Sequence, residues 1–246
     1  MKHGLFITGT DTGVGKTLVT AALASLLRAE GIDVGVMKPV ESGCPRQKGK
    51  LVPQDALFLR EAAGSEDDLE LINPCRLEAP LAPSLAAERE GVEINLGKLI
   101  ECFQTLKERH DFILVEGAGG LLVPLKERYL VSDLVQLFQL PLLIVAASRL
   151  GAVNHTLLTT RCAQSLKIEI VGVILNNLEE EGDTASRSNP HLLPHLLEVP
   201  LLCVIPFIPR IHELKKEKLA GLIKERISLS VLVGGPEQSN PDPGIS

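Results

Sequence analysis

A short apolar strand that runs into a glycine-rich turn and straight out into a helix dominates the N-terminus of this chain. Residues 4–17 read Gly-Leu-Phe-Ile-Thr-Gly-Thr-Asp-Thr-Gly-Val-Gly-Lys-Thr. Small residues let backbone N–H groups curl around a phosphate, Lys16 offers an ammonium to the β- and γ-phosphates, and Thr17 offers a hydroxyl to Mg²⁺. Leu23, Leu26 and Leu27 then recur at helical spacing within 16–30, so the turn opens a helix whose N-terminus attracts anions. The usual spacing puts a glycine five residues before Gly15; here Thr10 holds that position and the glycine stands one earlier, at Gly9. The strand before the turn and the amphipathic helix after it favour a nucleoside triphosphate site over a chance Gly-Lys-Thr.

Further along, strand-like apolar runs alternate with helical patterns. Strands are expected at Leu5–Thr8, Val34–Lys38, Phe112–Glu116, Leu142–Ala147, Ile170–Leu175 and Leu201–Ile205, and helices at 16–30, 55–63, 95–109, 132–139 and 152–166. Most of the strands are Val/Ile/Leu runs without polar alternation, the pattern of parallel strands buried on both faces. The fold class is therefore α/β: a P-loop NTPase-like, mostly parallel sheet with helices on both faces. At 246 residues and 45% hydrophobic, the chain can bury its core as one large domain, expected over 1–233. Polar, basic 44–53 reads as a loop, proline-bearing 73–87 as an irregular connection, and 234–246 as a disordered tail.

The net charge of −6 is scattered, which argues against a nucleic-acid surface. Five widely spaced cysteines with no Cys-x-x-Cys pair argue against a disulfide framework or a structural zinc site and suit a reducing compartment. No apolar run is long enough to span a bilayer, and the first strand leaves no room for a signal peptide. A soluble, cytoplasmic chain is the expectation.

In open sheets of this kind ligands gather beyond the carboxyl ends of the strands. That rule brings Lys38, Glu116 and the pair Asn176-Asn177 to the rim that carries the phosphate loop. Glu116 opposite the loop can complete oxygen coordination of Mg²⁺ with Thr17 and water. Asp55 reads either as a second metal carboxylate or as the N-cap of helix 55–63, and spacing favours the cap. Lys38, stiffened by Pro39, could stabilise charge on a transferring phosphate, although a lone lysine at a strand end is usually just solvated. Asn154 and His155 open a helix whose free N–H groups would suit a carboxylate, or merely begin an ordinary helix. His191 and His195 read as surface residues.

Taken together, Gly9 to Thr17, Lys38-Pro39-Val40-Glu41-Ser42-Gly43, Asp55-Ala56, Glu116-Gly117-Ala118-Gly119-Gly120, Gly151-Ala152-Val153-Asn154-His155 and Asn176 resemble the dethiobiotin synthetase family of ATP-dependent ring-closing enzymes. Pro80 to Ala87 is similar to the family's proline-rich segment, and the resemblance spans about 4–210. It implies that Lys38 is the catalytic lysine and that Ser42 and Asn154 contact substrate. Thr17, Asp55 and Glu116 become metal ligands, which reverses the capping reading of Asp55. Nucleotide contacts fall to Gly13, Val14, Gly15, Lys16, Thr17 and Leu18, to Asp55, Glu116, Gly117, Ala118 and Gly119, and to Asn176, Asn177, Ile205, Pro206 and Phe207. The resemblance further implies Mg²⁺, ATP as co-substrate, 7,8-diaminopelargonate and CO₂ as the other substrates, and a homodimer in which the partner subunit completes the substrate site near Asn154. The family's acidic ribose contact has no clear counterpart, His212 and Glu213 being nearest. Two rivals share the fold: partitioning or septum-positioning ATPases, and a related amidoligase or acetyltransferase-linked domain. The switches usually carry an extra lysine early in the loop, which Gly9-Thr10-Asp11-Thr12 lacks.

Overall fold

The computed structural model describes residues 4–209 and 216–234. Strand β1 (Gly4–Gly9) enters the glycine turn and leads into α1 (Lys16–Ala29); β2 (Val34–Met37) and the short β3 (Val40–Glu41) follow, then a hairpin of β4 (Arg46–Gln47) and β5 (Lys50–Leu51). Next come α2 (Gln54–Ala63), α3 (Leu69–Ile72), β6 (Cys75–Arg76), α4 (Pro83–Glu90), α5 (Leu96–Arg109) and the long β7 (Phe112–Gly120). The chain continues through β8 (Pro124–Lys126), β9 (Tyr129–Leu130), α6 (Val131–Phe138), β10 (Leu142–Ala147), α7 (Ala152–Ser165) and β11 (Ile170–Asn176). Helix α8 (Thr184–Leu192), β12 (Leu201–Ile205), α9 (Lys216–Lys224) and α10 (Leu229–Val233) complete the described elements.

Six strands form one sheet in the order β12-β11-β10-β1-β7-β2, and every pairing in it is parallel. Successive side chains of a strand point to opposite faces, and the two cores follow that rule. Leu5 and Ile7 of β1 pack with α1, α2 and α9, whereas Phe6 between them packs with α5 and α6 on the other face. In β10, Leu143 and Val145 join the first core and Leu142 and Ile144 the second. The second core is anchored by Phe103 and Phe138, stacked with ring centroids 3.9 Å apart.

The six expected strands and five expected helices are all present, with ends that coincide or differ by one residue except in β7. That strand does not stop at Glu116 but runs on to Gly120. Its pairing with β1 is irregular: Ile7 faces Glu116 and Gly9 faces Gly120, so two steps along β1 match four along β7. Through the bulge Gly119 comes up against Thr12 and Gly120 against Gly9 and Thr10 of the phosphate loop. Two segments read as irregular carry structure. The 44–53 loop holds the β4–β5 hairpin, and 73–87 holds β6 and the first half of α4, which starts at Pro83, where a missing N–H costs nothing. All five cysteines are free, and no helix among the described residues is long and apolar enough to cross a membrane. The tail at 235–246 and the ribose candidates His212 and Glu213 lie outside the described residues.

Candidate active site

The phosphate loop is built on two glycines in the left-handed region, Gly13 at φ +74° and Gly15 at φ +95°. Gly15 is the residue before α1, and a Cβ there would lie 2.1 Å from Nδ2 of Asn176. Glycine is therefore demanded twice, by backbone conformation and by the close approach of β11. Asn176 donates to the carbonyl of Val14 (3.0 Å) and so ties the end of β11 to the loop. Lys16 curls back over the loop, its Nζ 3.3 Å from the carbonyl of Asp11. Burial, and then the charge of Lys38, push the Lys16 ammonium down to about 8, against the pull of Glu116, Asp55 and Asp11.

Across from the loop, two side chains converge on one carboxylate, and a second carboxylate joins them through Lys38. Oε1 of Glu116 accepts from the Thr17 hydroxyl (2.9 Å) and from Nζ of Lys38 (2.5 Å). The same Nζ lies 3.1 Å from Oδ2 of Asp55. Lys38 is held rigidly at its backbone as well: its N–H donates to Ile72 (2.7 Å), and its carbonyl accepts from Nδ2 of Asn73 (2.6 Å). Lys38 and Glu116 are buried, at 4% and 0% exposure. Burial opposes the Lys38 charge, but Glu116 and Asp55 outweigh it and hold the ammonium well above its ordinary range. The solvated-lysine reading is thereby replaced by a buried, ion-paired one.

Asp55 does not cap α2. It lies in the first turn and turns its side chain to Lys38, while the exposed first-turn N–H groups of α2 are taken by a residue from another strand. Glu41 accepts from the N–H of Asp55 through Oε1 and from the N–H of Ala56 through Oε2, both at 3.0 Å. Burial and the neighbouring Asp55 push the Glu41 carboxyl up to about 7, against Lys38 and these two donors.

A cavity of about 670 Å³ joins these groups. Gly13, Gly15, Lys16 and Thr17 line one end; Ser42, Pro80 and Pro83 line the other, with Lys38, Asp55 and Glu116 between them. Oε2 of Glu116 is buried without a hydrogen-bond partner among the described residues. The free carboxylate oxygen of Glu116, the Thr17 hydroxyl and the Asp55 carboxylate border one cavity and supply hard oxygen donors of the kind Mg²⁺ takes alongside phosphate and water. The described residues contain no cluster of three or more His, Cys, Asp or Glu that would hold a metal by protein alone.

Other expected site residues fall at varying distance from this centre. Ala118 and Gly119 line the cavity, whereas Gly117 next to them packs against Phe6. Val14 and Leu18 point into the core. Asn176 is buried, with its Oδ1 lacking a partner among the described residues, as does Oδ1 of half-buried Asn177. Ile205 is buried in the first core, Pro206 is exposed and Phe207 half-buried. Asn154 is exposed on the first turn of α7 and does not line the cavity. His191 and His195 are exposed. Glu41 and Asn73 are the residues that sequence reasoning passed over. The first stood in plain view inside Lys-Pro-Val-Glu-Ser-Gly, but its partners come from a helix fourteen residues away.

A parallel six-stranded sheet whose glycine loop opens α1 with Lys16-Thr17 defines a P-loop nucleotide-binding α/β protein. Solved structures of similar fold include the septum site-determining protein MinD of Pyrococcus horikoshii, complexed with Mg-ADP (TM-score 0.52, 19% identical, covering 90% of this chain and 93% of that one). A ParA family ATPase from Chlorobium tepidum is alike to the same degree (TM-score 0.52, 16% identical, 92% and 93%). At such identity the likeness is one of fold.

Sequence comparison goes further. A family model described as an AAA domain matches residues 3–215. The ATP-dependent dethiobiotin synthetase BioD of Thermodesulfovibrio yellowstonii is 40% identical over 241 residues, covering 95% of this chain and 99% of its own. That of Anaeromyxobacter dehalogenans is 44% identical over 209 residues, 85% and 92%, and that of Bacillus subtilis strain 168 is 38% identical over 231 residues, 94% and 97%. The chain belongs to the ATP-dependent dethiobiotin synthetase family.

Proposed function

We propose that this protein closes a ureido ring on 7,8-diaminopelargonate, taking up CO₂ and converting ATP to ADP and phosphate. One amine of the substrate adds to CO₂ and loses a proton to give a carbamate. A carbamate oxygen then attacks the γ-phosphorus of ATP and ADP leaves, forming a mixed carbamic–phosphoric anhydride. The second amine attacks the carbonyl carbon and gives up a proton, the C–O bond breaks with phosphate as the leaving group, and dethiobiotin forms.

The single observation that carries this reading is Lys38, buried and charged between Glu116 and Asp55, on the same cavity as Lys16. No step needs a protein nucleophile. Each intermediate is an anion that must be brought into line with a phosphoryl group, and positioning with charge neutralisation is how proteins accelerate such transfers. Lys16 and the loop N–H groups hold the β- and γ-phosphates. Lys38 pairs with the carbamate and its phosphorylated form, and Ser42 contacts the diamine end. Thr17, Asp55 and Glu116 fit Mg²⁺, which when bound neutralises phosphate charge. Asn154, remote from its own chain's cavity, contacts the substrate carboxylate of a partner subunit in a homodimer. Asn176 and Asn177, with Pro206 and Phe207, read the adenine, and Ile205 backs them from the core. A cytoplasmic location suits the substrates.

A switch-like ATPase of the MinD or ParA kind has no use for Lys38 or for a cavity that continues past the phosphates to Ser42 and Pro80. The test is whether ATP turnover depends on the diamine. Hydrolysis that begins only when diamine and bicarbonate are both added supports ring closure; hydrolysis indifferent to both overturns it.

A further inference from the structure

We infer that Glu41 is a positioning residue, which acts through the start of α2 to hold Asp55 against Lys38. The inference rests on the ring-closing reading for its kinetic readout, but the geometry behind it does not depend on which reaction the site performs.

Helix α2 begins after Pro53, whose side chain cannot cap, so its first N–H groups need acceptors from elsewhere. Glu41 supplies two of them. Its two carboxylate oxygens take the N–H groups of Asp55 and Ala56 at 3.0 Å each, a bidentate grip on consecutive amides. A carboxylate at a helix N-terminus is favoured by the helix dipole as well as by the hydrogen bonds. Asp55 is thus held at its own backbone N–H, and its side chain places Oδ2 3.1 Å from Nζ of Lys38.

Glu41 is itself fixed. It belongs to β3, which pairs with β6, and its carbonyl accepts from the N–H of Leu77 (2.9 Å) and from Sγ of Cys44 (3.4 Å). It is 5% exposed although it borders the cavity. Only Pro39 and Val40 separate Lys38 from Glu41. One short segment therefore presents the buried lysine and also pins the helix that bears the lysine's carboxylate partner. Such backing of a working group by a fixed polar neighbour is what keeps a site within the fraction of an ångström that phosphoryl transfer needs.

The experiment compares wild type, Glu41→Ala, Glu41→Gln, Asp55→Asn and the double variant Glu41→Ala/Asp55→Asn. Three readouts are taken: melting temperature, affinity for a fluorescent ATP analogue in Mg²⁺, and kcat and KM for the complete reaction. Hydrogen exchange at the amides of Asp55 and Ala56 is followed in parallel. Expected for Glu41→Ala are faster exchange at those two amides and a fall in kcat of about tenfold or more, the scale of one charge-assisted hydrogen bond. Glu41→Gln, which keeps one acceptor oxygen, is expected to fall between wild type and Glu41→Ala. Because Glu41 acts through Asp55, the double variant should be no slower than Asp55→Asn within about twofold. Losses that multiply in the double variant, or a lower melting temperature with unchanged kcat and analogue affinity, would overturn the inference. Should Glu41→Ala fail to fold, the isosteric Glu41→Gln and Glu41→Gln/Asp55→Asn carry the same comparison. Should wild type make no ureido product, the ring-closing reading falls, and amide exchange with analogue affinity still decide the role of Glu41.

Discussion

At the scale of single residues the site is a balance of two buried cations against three carboxylates. Lys38 stays charged because Glu116 and Asp55 flank it, whereas Lys16 is held down to about 8 by burial and by Lys38. The two lysines therefore answer differently to change. If Lys38 pairs with the carbamate as proposed, Lys38→Gln should lower kcat about 10²–10³-fold, the scale for losing one preorganised transition-state donor. ATP affinity should hold within a few-fold, as read by titration with a fluorescent analogue; near-normal turnover would end the role assigned to Lys38. For Lys16 the sign follows from its lowered value. Above about pH 8 the free protein has lost most of this proton, and a bound triphosphate favours the charged form, so nucleotide binding takes up a proton. Calorimetry at pH 8–9 in buffers of different ionisation enthalpy should register net uptake, and Lys16→Ala should abolish it.

Elements matter here through what they bring to the rim. Helix α1 starts on a left-handed Gly15 pressed against Asn176. Gly15→Ala should cost about 1–3 kcal/mol from backbone strain alone and should also weaken nucleotide binding, checked by denaturant unfolding and titration on one sample. The far face of the sheet offers a control. Phe103, stacked on Phe138, is fully buried and far from the loop in the fold, so Phe103→Ala should cost about 3–5 kcal/mol. Nucleotide affinity of the folded fraction should stay unchanged, which separates core packing from the site. Strands and helices were legible in the sequence because buried parallel strands are unbroken apolar runs and α1 has a clear period. The β7 bulge was not, since glycines read as an end to pairing although the strand continues through them. Helix α4 hid behind a proline-bearing segment, and only the position of Pro83 at its first residue reconciles that proline with a helix.

On the scale of the whole molecule, the sheet order sets β1 between β7 and β10, so the loop, Glu116 and Lys38 meet although they stand far apart in the chain. Their types and strand-end positions were readable, but their convergence on Oε1 of Glu116 is a tertiary fact. Asp55 shows the limit most clearly. Spacing favoured a helix cap, the family resemblance favoured a ligand, and the cap turned out to come from Glu41. Exposed Asn154 belongs to this scale too. If each site borrows Asn154 from a partner, then Lys38→Gln and Asn154→Ala, each inactive alone, should recover about a quarter of wild-type activity when equal amounts are unfolded and refolded together, because half of the dimers then carry one intact site. No recovery would contradict the shared site. Ring closure by the whole molecule is tested at its product. Protein incubated with 7,8-diaminopelargonate, ¹³C-bicarbonate, Mg²⁺ and ATP should yield a ureido compound that carries the label, with one ADP formed per ring; ADP formed without any labelled ring would contradict it.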